Sequence, residues 1–232
     1  MIGTGPTGAA IGASLREAVS IVLPVECAGC RAPGTPVCDV CLATLRPGVH
    51  AVVRDGMTVH AGLAYADTPR RVIAAFKDGG RPGLARPLGP ALRASVLASI
   101  RACTDSAAAG YEIITVPSSW AAWRERGYRP VEALLHAAGL RSTPLLRRSR
   151  SRVDQVGLGR EERMANVEGT LAVRRRPGRE GPRLDGRRFI VVDDILTTGA
   201  TVREAVRAVS AAGGVVSAVA VLAQTPRDGG RG

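Results

Sequence analysis

Aromatic residues are scarce in this chain: two Phe, three Tyr and two Trp make up 3% of its 232 residues. A core must therefore be built from Val, Leu, Ile and Ala, and a nucleic-acid surface made of stacked rings is disfavoured. Lysine is scarcer still, with Lys77 the only one among 32 Lys and Arg residues. The formal net charge of +12 is thus almost wholly arginine, whose planar fork grips phosphate at two points. No run approaches the roughly 20 apolar residues of a membrane span. Residues 1–14 lack the basic region and long apolar core of a secretory signal, so the expected location is the cytoplasm. No internal repeat is present. The length suits one α/β domain of common size with a small appendage.

Five cysteines in a reducing compartment point to metal or free thiols before disulfides. Four of them form Cys27-x₂-Cys30-x₇-Cys38-x₂-Cys41, two knuckles joined by a loop holding Pro33, Gly34 and Pro36. Each pair can offer two thiolates to one ion, and two pairs in short succession favour a closed, structural Zn²⁺ site over a redox pair or iron–sulfur cluster. An appendage too small to bury its own core would gain much of its folding energy from that metal. Cys103 stands apart on an Ala-rich stretch and suits a small buried hydrophobe.

The most informative segment is Arg188 to Val202, RFIVVDDILTTGATV. Its run Phe189-Ile190-Val191-Val192 has the continuous apolar character of a parallel strand covered on both faces. Asp193 and Asp194 fall at the carboxyl end of that run, and Thr197-Thr198-Gly199-Ala200-Thr201 leads into a segment with helical apolar spacing. Free backbone N–H groups at such a helix start favour a phosphate. The adjoining carboxylates can accept hydrogen bonds from sugar hydroxyls or hold Mg²⁺. A phosphorylated sugar is the ligand suggested. The alternative is an acidic turn that merely caps a helix.

Elsewhere the pattern predicts a short helix over Ala13 to Leu23, a strand over Thr58 to Ala66, and a helix capped by Asp67 that carries Val72, Ile73 and Phe76. A second helix over Leu84 to Ala102 is interrupted early by Pro87 and Pro90. Tyr111 to Val116 is a strand, followed by the loop Pro117-Ser118-Ser119-Trp120 and a helix through Val131 to Ala138. Leu171 to Val173 is a weak strand, Val215 to Ala223 the last one, and Asp228 to Gly232 a loose tail. Alternating strands and helices imply a mostly parallel sheet flanked by helices, with ligands at the carboxyl ends of the strands. Residues 1–48 form the expected helix and zinc appendage, and 49–232 the main domain.

From Arg141 to Arg188, fourteen arginines face six acids. Arg147 to Asn166 has little apolar periodicity and suits a basic loop able to close over a charged ligand. The run from Arg174 to Arg183, with Pro177, Gly178, Gly181 and Pro182, suits a solvated linker.

The acid pair and Thr-Thr-Gly-x-Thr loop resemble the phosphoribosyl pyrophosphate motif of type I phosphoribosyltransferases. Together with the double Cys-x₂-Cys ribbon, Lys77, Val116-Pro117 with Arg124, Arg126 and Gly127, and then Gln155, Arg163 and Asn166, the chain resembles the ComF family. It departs from that family's usual pattern where Gly127 is followed by Tyr128, Arg129 and Pro130, and near Leu171. The resemblance implies that Asp193 and Asp194 contact the ribose hydroxyls and that Thr197, Thr198, Gly199, Ala200 and Thr201 wrap the ribose phosphate. It implies a pyrophosphate loop from Pro117 to Gly127 with Arg124 and Arg126 as contacts, and a closing loop with Gln155 and Arg163. Lys77 is either a further phosphate contact or a solvated charge at a helix end. The implied activity is Mg²⁺-dependent phosphoribosyl transfer from phosphoribosyl pyrophosphate to a nitrogenous acceptor. The alternative is a non-catalytic accessory of DNA uptake that binds single-stranded DNA or its processing and recombination proteins.

Overall fold

The structure is a computed structural model and describes residues 25–103, 110–149, 169–174 and 183–226. The predicted helix at Ala13 to Leu23, Gln155, Arg163, Asn166, most of the Arg147 to Asn166 loop, Arg175 to Pro182 and the tail lie outside them.

Nine-residue strand β6 (Arg188–Leu196) organises the molecule. Its unbroken apolar run follows from burial on both faces: Ile190 and Val192 enter one core cluster, Phe189 and Val191 the other. The same alternation divides Ala218, Ala220 and Leu222 from Val219 and Val221 on β7 (Val215–Gln224). Strands β1 (His50–Arg54), β2 (Met57–Ala64) and β3 (Glu112–Thr115) complete a five-stranded sheet in the order β1-β2-β7-β6-β3. β1 is antiparallel to β2, and every other pairing is parallel. Thr115 lies beside Val192, and both Ala64 and Leu196 are level with Gln224, which brings the carboxyl ends of the parallel strands to one edge.

Helices α2 (Asp67–Lys77), α3 (Ala85–Ala102) and α5 (Pro130–Ala137) pack their apolar stripes on one face of the sheet, whereas α6 (Ala200–Ser210) covers the other. Close approach of α3 demands glycine at position 62, because a Cβ there would collide with the carbonyl of Ala91. A second, two-stranded sheet pairs β4 (Leu146–Arg148) with β5 (Leu171–Val173) antiparallel. Buried Glu204 on α6 fixes it by accepting the Leu171 N–H at 2.8 Å. Burial opposes that carboxylate's charge, but Arg207 and the Leu171 N–H hold it below the usual range. The architecture is the α/β one expected, mostly parallel with flanking helices.

Some local expectations are corrected. Strand β1 is an addition to the expected elements; its Asp55-Gly56 turn, with φ of 50° and 77°, makes the hairpin. Asp67 does not cap α2 from outside: it is the first helical residue, at φ 44°, and makes no side-chain cap bond. Its charge still lies in the first turn, where the helix dipole favours it. Pro87 and Pro90 do not interrupt α3. Pro87 sits in the first turn, where an N–H has no helical partner, and the helix runs on past Pro90 to Ala102. The Pro117 to Gly127 segment contains helix α4 (Trp120–Arg126), capped by the Ser119 hydroxyl, which accepts the Ala122 N–H at 3.1 Å. Among the described residues no helix is long and apolar enough to cross a membrane.

Ahead of the sheet, the cysteine segment folds back on itself through a Glu26–Pro33 bridge and bonds from the Cys27 N–H to Ala32 and the Ala28 N–H to Pro36. Short helix α1 (Asp39–Ala43) carries Cys41. Ala28, Val37 and fully buried Leu45 pack on the same core cluster as α2, so the segment leans on the main domain.

Candidate functional site

At the carboxyl edge β6 passes through Asp193 and Asp194 before the chain turns into α6. Gly199 makes the turn at φ 82°, a backbone conformation that a side chain would strain. Thr197, Thr198 and Thr201 are exposed around it, Ala200 is half-buried, and the Ala200 N–H reaches the Thr198 hydroxyl at 3.4 Å. The start of α6, with its positive dipole end, and these hydroxyls offer hydrogen-bond donors of the kind a phosphate takes.

The two acids differ in their surroundings. Asp194 binds Lys77 Nζ through Oδ2 at 2.8 Å and accepts the Ile195 N–H through Oδ1 at 2.7 Å. The ion pair is sheltered, with the two side chains 21% and 14% exposed. Lys77 is the last residue of α2, so this helix delivers its charge to the motif. Asp193 accepts only the Asp194 N–H at 2.8 Å among the described bonds. Burial first, and then the neighbouring Asp194 charge, push its carboxyl up to about 7, against the pull of that N–H and of Lys77. Asp193 is therefore a carboxyl that can take up a proton near neutral pH.

Next to this pair, Arg126 Nη2 bonds Asp78 Oδ1 at 3.1 Å, one residue past Lys77. Arg124 is exposed in the last turn of α4, and Gly127 ends that helix at φ 73°. Pro117 is half-buried, and its carbonyl accepts from Arg148 Nη1 at 3.5 Å. Since β3 and β6 run parallel with Thr115 beside Val192, the segment after Val116 leaves the sheet next to the acid pair. Lys77, Arg126, Asp193 and Asp194 are thus gathered at one edge, whereas Gln155 and Arg163 lie outside the described residues. Tyr128 packs on Phe76 with ring centroids 5.6 Å apart and the rings tilted by 51°, its buried hydroxyl without a partner in the structure. Burial, opposed by Arg126, raises its pKa.

Two neighbours of the site escaped sequence reasoning. Asp55 at the tip of the β1 hairpin binds Arg203 of α6 at 2.6 Å, and a Cβ on Gly199 would come within 3.6 Å of its carboxylate. Asp78 holds Arg126. The Asp-Gly hairpin dipeptide was a readable signal for the first; nothing local announced the second.

Residues 126–231 match the family model of the phosphoribosyl transferase domain. The matched span takes in the acid pair, the Gly199 turn, α6 and β7, and it supports a phosphoribosyltransferase-like function for this chain. The cysteine segment and β1 to β3 lie before it. No curated protein matches the chain.

Outside the phosphoribosyl transferase domain match, the four cysteines form a second centre. Their sulfurs all lie within 4.8 Å of one another, and Cys30 Sγ is 3.6 Å from Cys38 Sγ. Tetrahedral Zn–S bonds of about 2.3 Å require sulfurs about 3.8 Å apart, so the cluster fits one Zn²⁺. Burial works against ionising Cys27, yet N–H groups from Cys38, Cys30 and Gly29 lower it to about 6. Burial and its thiol neighbours push Cys41 up to about 12. Four such thiols share the site as thiolates only around a cation. Cys103 is not part of the cluster: its thiol donates to the Ser99 carbonyl at 3.2 Å.

Proposed function

We propose that the chain binds phosphoribosyl pyrophosphate with Mg²⁺ at the carboxyl edge of β6 and transfers the phosphoribosyl group to a nitrogenous acceptor. The observation that carries this reading is the acid pair on β6 running straight into the Gly199 turn and the N-terminus of α6, with Lys77 and Arg126 alongside. In this reading Thr197 to Thr201 hold the ribose phosphate, and Asp193 and Asp194 accept from the ribose hydroxyls. Pro117, Arg124, Arg126, Gly127 and Lys77 lie toward the pyrophosphate, with Gln155 and Arg163 assigned to the closing loop. Mg²⁺ suits carboxylates that leave most of its shell to substrate phosphates and water, and when bound it neutralises the departing pyrophosphate. The acceptor nitrogen forms a bond to the ribose C1. The C1–O bond to pyrophosphate breaks with its electron pair on the leaving oxygen, and the acceptor's proton passes to solvent. Guanidinium and ammonium groups stabilise the charge that develops on that oxygen.

The cysteine segment serves as a structural zinc ribbon, with residues 1–48 as the appendage and 49–232 as the phosphoribosyltransferase-like domain. A second reading, a non-catalytic accessory of DNA uptake in the manner of the ComF family, draws on the exposed Arg147, Arg148 and Arg174 of the small sheet and on the net charge of +12. Pyrophosphate release from phosphoribosyl pyrophosphate in the presence of Mg²⁺ and a panel of purine, pyrimidine and pyridine bases separates the two. Acceptor-dependent release supports the enzyme. Tight binding of the ligand without release under any acceptor supports the accessory.

A further inference from the structure

Helix α2 stands between the two centres. Its last residue, Lys77, bonds Asp194, and its first turn abuts the cysteine segment. Arg71 donates through Nε to the carbonyl of Gly29 and through Nη2 to the Thr68 hydroxyl at 3.0 Å. Gly29 itself is wedged: a Cβ there would lie 2.5 Å from Cys41 Sγ and 2.8 Å from Thr68 Cγ2. The backbone of the first cysteine turn therefore touches a metal ligand on one side and the start of α2 on the other. Beyond the far end of the helix, Arg81 donates through Nη2 to the Glu26 carbonyl at 2.8 Å and to the Pro36 carbonyl at 3.4 Å. Those carbonyls belong to the two limbs that carry Cys27 and Cys38.

The cysteine fold is thus pinned to the first half of α2 through Arg71 and, four residues past the helix's last residue, to the chain at Arg81. An α-helix is a stiff rod with a rise of about 1.5 Å per residue, and a shift of about 1 Å at its end suffices to lose the hydrogen bond within the 2.8 Å Lys77–Asp194 pair. A cation gives the four clustered sulfurs one common partner, and the close packing of Gly29 on Cys41 Sγ and Thr68 passes any rearrangement of the cluster to the start of α2.

We propose that Arg71 and Arg81 are positioning residues of the phosphoribosyl site, clamping the cysteine ribbon to α2 and to the segment just beyond it so that metal in the ribbon fixes Lys77 beside Asp194. This rests on the reading that the acid pair binds phosphoribosyl pyrophosphate. The ribbon is then a part of the ligand site at one remove, and stripping its metal weakens ligand binding.

The test is calorimetric titration of full-length, zinc-loaded wild type, Arg71→Ala, Arg71→Lys, Arg81→Ala, Lys77→Ala and Arg71→Ala/Lys77→Ala with phosphoribosyl pyrophosphate and Mg²⁺. Zinc content and melting temperature are measured on the same samples. Arg71→Ala should keep its zinc and lose about fivefold or more in affinity, in the range of ordinary coupling between sites. Arg71→Lys and Arg81→Ala, with one clamp bond or one clamp left, should fall between it and wild type. The double variant should bind no more weakly than Lys77→Ala alone, because both substitutions disable the same contact. Chelator-stripped wild type should match Arg71→Ala. Wild-type affinity in zinc-loaded Arg71→Ala, or losses that multiply in the double variant, would overturn the proposal. Should Arg71→Ala not fold, wild-type affinity in Arg81→Ala overturns it instead. A wild type that does not bind the ligand removes the underlying reading and this proposal with it, whereas binding that ignores the clamps removes this proposal only.

Discussion

Replacing Asp193 by Asn should make the protein more stable and less able to hold its ligand. The carboxyl stands at about 7 rather than its ordinary 3.8, chiefly through burial and then through the charge of Asp194. Ionising it therefore opposes folding: the penalty is absent below about pH 4, grows as pH rises, and is complete above about 7. That displacement sets an upper bound of roughly 4 kcal/mol. Because the residue is half-buried and water screens it, about 1–2 kcal/mol is the expected gain in the Asn variant at pH 8. For a chain of this size that is a rise in melting temperature of roughly 2–8 °C at pH 8, falling to less than half of that at pH 5 and to zero below about pH 4. The same variant removes a charged acceptor for the ribose hydroxyls, and each such bond is worth about 1.5–3 kcal/mol, or roughly ten- to 150-fold in affinity. Scanning calorimetry in ligand-free buffer across pH 5 to 8 decides the first half, and titration with phosphoribosyl pyrophosphate the second. A melting temperature that is unchanged at pH 8, or a gain that does not depend on pH, would refute the reasoning about this site.

Elemental analysis should find one zinc per chain, held by Cys27, Cys30, Cys38 and Cys41, with Cys103→Ser leaving that content unchanged; iron or no metal would contradict the assignment. Gly29→Ala should lower zinc retention against a chelator, since its methyl group meets Cys41 Sγ at 2.5 Å. Glu204→Ala should cost about 2 kcal/mol by chemical denaturation, because it strands the buried Leu171 N–H and removes the ion pair of half-exposed Arg207. Wild-type affinity for phosphoribosyl pyrophosphate should fall about tenfold from pH 8 to pH 6 as Asp193 takes up a proton, and a flat profile would show that its ionised form is not required. Any binding of labelled single-stranded DNA, followed by anisotropy, should weaken steeply with salt and depend on Arg147 to Arg163 more than on the Asp193 to Thr201 loop.

Fold class was legible because the strands that matter are buried on both faces and so carry continuous apolar runs; Phe189 to Val192 and Val215 to Ala223 need no partner to be recognised. The hairpin strand β1 was not, since its pattern HAVVR is short and faces solvent at Val53, and only the Asp55-Gly56 turn marks it. Helix α4 hid inside the expected loop because it is two turns long and signalled by Ser119 alone. In the candidate site, the acid pair, the Gly199 turn and the cysteine spacing are contiguous patterns, which a linear reading finds. The Lys77–Asp194 and Arg126–Asp78 pairs join residues 117 and 48 positions apart, and only the packing of α2 and α4 at the sheet edge brings them together. That is why Lys77 had two open readings in the sequence and has a definite partner in the structure.

The central claim is tested most directly by titrating wild type and Asp193→Asn/Asp194→Asn with phosphoribosyl pyrophosphate, each with and without Mg²⁺, after circular dichroism has shown equal folding. The account predicts binding by wild type that requires Mg²⁺ and no measurable binding by the double variant; equal affinity in the two proteins would contradict it and leave the acid pair as a capped turn.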